Sequence, residues 1–188
     1  MQRLIDKIQA EAYVIDNRIV KVDHFINHML DTELVYEIGH RFAELFPDAT
    51  KILTIESSGI AFAVATAFQL DHIPIIFARK RESLITGNNV YSAKAISFTK
   101  EEDTTIIVDS EFIQSTDRVL IVDDFLATGS ALNALVSIVE QAGATIEGAG
   151  IVIEKRFLDG RKVLTDKGIP VHSLATITAI RDNQVFFE

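Results

Sequence analysis

A chain of 188 residues, 48% hydrophobic and 24% charged, has the composition of a single soluble domain with a sizeable core. The lack of cysteine excludes disulfides and thiolate metal centres, and a formal net charge of −9 argues against non-specific nucleic-acid binding, which depends on cations that neutralise phosphates. The most apolar window, residues 59–68, is too short to span a bilayer, and the N-terminus has no signal-peptide pattern, so a cytoplasmic protein without membrane or nucleic-acid partners is expected.

In chain order, Leu4, Ile5, Ile8 and Ala12 predict a short amphipathic helix, and residues 13–22 read as two short strands around a turn at Asp16-Asn17. Asp31 is placed to cap a helix with Leu34, Val35, Ile38, Phe42 and Leu45 on one face, stopped by Pro47-Asp48. From Lys51 strands alternate with helices: strand 51–56, helix 59–69, strand 73–78, then strand 118–122, helix 128–142 and strand 145–153. A short helix at 159–167, a strand at 171–176 and an edge strand at 184–187 complete the pattern. This order predicts an α/β fold of right-handed βαβ units with a mostly parallel sheet covered on both faces. Residues 80–103 interrupt it with a polar insertion containing the turn Gly87-Asn88-Asn89, and 104–108 with 110–113 read as a hairpin returning to the core.

Residues 119–131 read Val-Leu-Ile-Val-Asp-Asp-Phe-Leu-Ala-Thr-Gly-Ser-Ala. A buried strand, two carboxylates, then Ala127, Thr128, Gly129, Ser130 and Ala131 opening a helix combine two kinds of ligand chemistry. Small residues at a helix start let backbone N–H groups close around a phosphate, and the helix dipole favours its charge. Asp123 and Asp124 would repel a phosphate but suit vicinal hydroxyls or a magnesium ion. Together they describe a ribose 5-phosphate.

This segment resembles the thirteen-residue signature of the type I phosphoribosyltransferases, which bind 5-phosphoribosyl 1-diphosphate (PRPP). The resemblance implies a single-domain type I fold over residues 1–188: a mostly parallel central sheet flanked by helices, a small hood from about 1–30 and 154–188, and a mobile flap at about 80–104. By it, Asp123 and Asp124 bind the ribose hydroxyls and residues 127–131 wrap the 5-phosphate. Ser57, Ser58 and Gly59 grip pyrophosphate through the backbone, although on its own Glu56-Ser57-Ser58-Gly59 reads as a turn with Ser57 or Ser58 as N-cap. Arg79-Lys80-Arg81 lies where cations meet the developing charge of leaving pyrophosphate, with Arg79 and Lys80 the chosen residues. Tyr91, Ser92 and Lys94 are the flap candidates.

Val20-Lys21-Val22-Asp23-His24-Phe25-Ile26-Asn27-His28, together with residues 54–60, 77–80 and 150–155, resembles the bacterial xanthine phosphoribosyltransferases nearly end to end. That resemblance assigns Val20 a backbone contact to the base, Asn27 a side-chain amide contact, and Lys155 donation to a purine oxo group. His24 and His28 lack a supporting carboxylate or cysteine cluster and read as structural. Ala127 stands where hypoxanthine-guanine enzymes carry an aspartate and where adenine enzymes also carry alanine, which is consistent with xanthine, the more acidic purine. The implied reaction is PRPP plus xanthine to xanthosine 5′-monophosphate and pyrophosphate, with Mg²⁺ arriving on PRPP and a homodimer as the family assembly. Guanine, hypoxanthine or adenine specificity is the close alternative. A non-catalytic PRPP-binding regulator is the distant one, since such repressors add a basic DNA-binding domain.

Overall fold

The computed structural model describes residues 1–80, 89–96 and 103–188. Helix α1 (Gln2–Glu11) buries Leu4 and Ile8 and leads into a hairpin of β1 (Tyr13–Ile15) and β2 (Ile19–Lys21). A π-helical turn spans Asp23–Asn27. Helix α2 (Thr32–Leu45) begins at the expected cap, where the Asp31 carboxylate accepts from Leu34 N at 3.1 Å, satisfying one of the donors a helix start leaves open.

The alternating core comprises β3 (Lys51–Ile55), α3 (Gly59–Gln69) and β4 (Ile75–Ala78). After β5 (Val90–Ile96) and β6 (Asp103–Asp109) it continues with β7 (Arg118–Leu126), α4 (Ser130–Ala142), β8 (Thr145–Lys155), α5 (Gly160–Thr165), β9 (Val171–Arg181) and β10 (Gln184–Phe187). Six strands form one sheet in the order β10-β9-β8-β7-β3-β4, parallel except for the antiparallel β9–β10 pair at the edge. Strand β7 shows why residues 119–122 are all apolar: Leu120 and Val122 pack in the core with α2 and α3, while Val119 and Ile121 pack in the core with α4. Both faces of a parallel strand are covered, so no position can be polar without a reason.

From β3 the chain winds outward to β4, then returns on the other side of β3 as β7. The reversal makes a switch point, and the loops leaving the carboxyl ends of β3 and β7 flank a crevice where ligands of doubly wound sheets bind.

Three expectations need correction. The strand expected at 171–176 runs on to Arg181, because Ile177, Ala179, Ile180 and Arg181 pair with β10. The strand predicted to stop at Val122 runs on to Leu126, because Asp123, Phe125 and Leu126 continue the ladder opposite Ile151, Ile153 and Glu154. The segment 110–113 is not a hairpin partner: Ser110–Phe112 is a single 3₁₀ turn, closed by Asp109 Oδ1 accepting from Glu111 N at 3.1 Å. Strand β6 instead pairs antiparallel with β5, from Val90 opposite Asp109 to Ile96 opposite Asp103.

Candidate active site

Because β7 continues through its two carboxylates, their backbone is held in the sheet while their side chains face different surroundings. Asp123 is 4% exposed and Asp124 half-buried. Asp123 Oδ1 accepts from Asp124 N at 3.0 Å, and Asp124 Oδ1 from Phe125 N at 2.9 Å. Burial pushes the Asp123 carboxyl well above the usual carboxylate range, the charge of Asp124 pushes it further, and the Lys80 ammonium pulls it back. A pair that resists carrying two charges is relieved by a cation or by hydroxyl donors.

The small-residue loop follows directly. Gly129, at φ 80°, is the N-cap of α4, and Asn133 N donates to its carbonyl at 2.8 Å. The left-handed backbone is the reason for glycine here. The helix thus begins at Ser130 rather than Thr128, leaving residues 127–129 as a loop whose floor is Gly160 at the start of α5. A Cβ on Gly160 would lie 2.1 Å from the Ala127 carbonyl oxygen and 2.7 Å from Gly129 N. Sequence reasoning missed this contact, which joins backbones about thirty residues apart.

Across the crevice, Gly59 opens α3 against the carboxylate strand: a Cβ there would come 2.1 Å from Thr54 Oγ1, 3.2 Å from the Val122 carbonyl oxygen and 3.4 Å from Asp123 Oδ1. Ser58 precedes α3 without a side-chain capping bond, and Ser57 is exposed. The Glu56–Ser57 peptide is cis. Arg79 and Lys80 follow β4 at the same edge, and both are tied to Glu56: Arg79 Nε lies 3.0 Å from Glu56 Oε2, and Lys80 N donates to Glu56 Oε1 at 2.8 Å. Nothing in the sequence around Glu56, at the end of a strand and the start of a turn, marks it as the partner of these cations. Arg81 lies outside the described residues.

On the side of the β1–β2 hairpin, Lys155 at the end of β8 is 6% exposed. Its Nζ donates to the Arg18 carbonyl at 2.9 Å and stands 5.7 Å from the Phe125 ring centroid. Burial lowers its pKa from the ordinary lysine value, and the Arg18 charge adds to this. Val20 is buried in the hairpin, whereas Asn27 is exposed on the π-helical turn. The neighbouring Glu154 faces the opposite way, buried against Arg156, Arg161 and Ser173. Of the flap candidates, Tyr91, Ser92 and Lys94 lie in β5, and Ser92 is clasped to α4, its N–H donating to Gln141 Oε1 at 3.2 Å and its carbonyl accepting from Gln141 Nε2 at 3.0 Å. Residues 81–88 and 97–102 of the expected flap lie outside the described residues. Among the described residues no group of three or more His, Asp or Glu forms a metal cluster, His24 and His28 included. Among the described residues, no helix is long and apolar enough to cross a membrane.

The structure therefore brings together the carboxylate strand end, the loop at 127–129 with the first turn of α4, the turn at 57–59 and the cations at 79–80. It sets Lys155 and Val20 beside them and leaves Asn27 at the surface. The phosphoribosyl transferase domain profile matches residues 30–177, and the chain belongs to that family. It is 49% identical over 190 residues, covering 100% of both chains, to the xanthine phosphoribosyltransferase of Clostridium tetani (strain Massachusetts / E88). It is 47% identical over 189 residues to that of Pseudomonas aeruginosa PAO1, covering 100% of this chain and 99% of the relative. Among solved structures it resembles the adenine phosphoribosyltransferase of Rhodothermus marinus at a TM-score of 0.75 and 25% identity, covering 94% of this chain and 100% of that one. It also shares the fold of the Trypanosoma brucei adenine enzyme, at a TM-score of 0.77 and 19% identity, over 96% and 83% of the two chains.

Proposed function

We propose that the chain transfers the 5-phosphoribosyl group of PRPP to xanthine: purine N9, its proton passing to solvent, bonds to the anomeric carbon as the bond to pyrophosphate breaks, giving xanthosine 5′-monophosphate and pyrophosphate. The observation that carries this reading is the placement of a buried lysine donor, Lys155, near the carboxylate strand end at Phe125, in a chain 47–49% identical to xanthine enzymes. Asp123 and Asp124 receive the ribose hydroxyls, residues 127–131 the 5-phosphate, and Ser57, Ser58, Gly59, Arg79 and Lys80 the pyrophosphate. Glu56 orients Arg79 toward that edge. Val20, Asn27 and Lys155 contact the base, in a hood drawn from about 1–30 and 154–188, and the flap at about 80–104, with Tyr91, Ser92 and Lys94, excludes water. The donor set at Asp123 and Asp124 fits Mg²⁺, a hard ion that prefers oxygen; bound with PRPP, it neutralises charge on the pyrophosphate. No protein nucleophile is needed: positioning and charge stabilisation carry the step.

An ammonium has only donors, so Lys155 favours an oxo-purine over adenine, whose exocyclic amine also donates. A spectrophotometric assay with PRPP, Mg²⁺ and each of xanthine, guanine, hypoxanthine and adenine tests the reading. Turnover fastest with xanthine is the expected result, and PRPP binding without turnover on any base would favour a regulator. Lys155→Ala should lower kcat/KM for oxo-purines by about tenfold or more, the worth of a charge-assisted hydrogen bond, and leave the KM for PRPP unchanged.

A cytoplasmic homodimer completes the proposal. Val64 and Phe68, one turn apart on the outer face of α3, are 38% and 62% exposed, as large apolar residues at an interface between copies would be. Sedimentation should give a dimer mass that Phe68→Glu converts to a monomer; a monomeric native protein at micromolar concentration would remove this part of the reading.

A further inference from the structure

Two hairpin turns far apart in the chain are built alike and are tied to each other. Asp16-Asn17 closes β1–β2 and Asp182-Asn183 closes β9–β10, and all four residues have left-handed backbones, at φ 52°, 52°, 50° and 56°. Asn183 Oδ1 accepts from Asn17 N at 3.2 Å, and Asn17 Oδ1 accepts from Asn183 N at 2.7 Å, a reciprocal pair between residues 166 apart. Each hairpin is already closed by its own ladder, so the cross-link serves the relation between the two hairpins and not the turns themselves. The residue after Asn17 is Arg18, whose carbonyl accepts from Lys155 Nζ at 2.9 Å. Val20 of the same hairpin shares a core with Ile177, the residue opposite Lys155 in the β8–β9 ladder. The clasp, the Arg18 carbonyl and the lysine thus form one chain of contacts ending at a buried ammonium.

We propose that the Asn17–Asn183 clasp positions the purine pocket, fixing the β1–β2 hairpin on the β9–β10 hairpin so that the Arg18 carbonyl holds the Lys155 ammonium where it donates to the oxo group of the base. The inference rests on Lys155 being the base contact, as proposed above. Neither asparagine touches substrate; both are positioning residues acting through Arg18 and Lys155. The lysine stem is long and flexible, and a fixed carbonyl that accepts from its ammonium restricts the positions the charge can take. Without the fixed carbonyl the ammonium loses its registration and the hairpin no longer shields it. Asparagine suits both ends of the clasp because it tolerates the left-handed backbone of the turn and carries the acceptor that reaches the other turn.

The clasp pairs two side-chain oxygens with two backbone N–H groups, so its acceptors can be removed without altering the turns. Asn17→Gly/Asn183→Gly removes both acceptors while glycine keeps the left-handed backbone without penalty. Asn17→Asp/Asn183→Asp keeps both acceptors. The glycine pair should raise the KM for xanthine about fivefold, roughly one neutral hydrogen bond's worth, with the KM for PRPP unchanged. It should also speed acylation of Lys155 by an amine-reactive reagent, followed by peptide mass spectrometry. The aspartate pair should restore both. Wild-type xanthine KM and Lys155 protection in the glycine pair would overturn the proposal, as would an equal rise in both KM values with a lowered melting temperature, the signature of a general stabiliser. Faster acylation of Lys155 in the glycine pair, combined with unaltered purine preference in Lys155→Ala, would instead overturn the base-contact reading and with it the clasp's role in specificity.

Discussion

Gly160→Ala is expected to raise the KM for PRPP by about two orders of magnitude, the cost of misplacing a binding group by roughly an ångström, with the KM for xanthine little changed. By helix propensity the substitution should help, since alanine is favoured over glycine by about 1 kcal/mol inside a helix, and Gly160 does not have a positive φ that would exclude a side chain. The contact decides the sign. The new methyl would sit 2.1 Å from the Ala127 carbonyl oxygen and 2.9 Å from its carbon, both backbone atoms of the 127–131 loop. The reverse approach is equally close, since a Cβ on Gly129 would lie 2.6 Å from the Gly160 carbonyl oxygen. Backbone pressed on backbone cannot yield as a flexible side chain does, so the loop itself must move, and with it the amides proposed to hold the 5-phosphate. Steady-state kinetics with each substrate varied in turn check this; an unchanged KM for PRPP would show that the loop keeps its geometry without the Gly160 seat.

The contrast between Gly129 and Gly160 shows what could be read from the sequence. Gly129 was legible because its neighbours in the chain carry its meaning: a strand, two carboxylates and small residues before an amphipathic helix. The same holds for the Asp31 cap, the Asp16-Asn17 turn and the opening of α3 at Gly59, all matched by the structure within local windows. Periodicity placed the strands of the parallel sheet, but not where β7 and β9 end. The ladder with β8 carries β7 past two carboxylates that, read alone, signal a loop. What stayed hidden depends on long-range partners. Glu56 holds Arg79 and Lys80 from the next strand, Gly160 floors a loop about thirty residues earlier, and Asn17 meets Asn183 at the other end of the chain. One signal was available for the last: Asp-Asn recurs at 16–17 and 182–183, and such dipeptides mark tight hairpin turns. It announces two turns, not that they touch.

The second large effect concerns what holds α5, and so Gly160, in place. Glu154 is 1% exposed and is surrounded by donors: Arg161 Nη2 at 2.7 Å, Ser173 Oγ at 2.5 Å and Arg156 Nε at 2.6 Å, while Arg161 Nη1 also donates to the Val171 carbonyl at 2.8 Å. Burial alone would raise the Glu154 pKa, but the hydrogen bonds from Arg161, Ser173 and Arg156 outweigh it and hold the group at about 2, against an ordinary 4.5. Its folded value is thus depressed. The stability it contributes is fully present above about pH 4.5 and is lost as the pH falls toward 2. Arg161→Met leaves Glu154 with Arg156 and Ser173 as its remaining donors and should cost about 2 kcal/mol, the worth of a hydrogen bond to a charged group, or roughly 6 °C in melting temperature. Because residue 161 adjoins Gly160, the same variant should also weaken PRPP binding. Glu154→Gln removes the charge, and its deficit relative to wild type should be constant near neutrality, narrow below about pH 4.5 and vanish near 2. Melting curves of the two proteins across that range read this directly. A deficit that stays constant with pH would mean that shape, and not the charge of Glu154, anchors α5 beneath the loop.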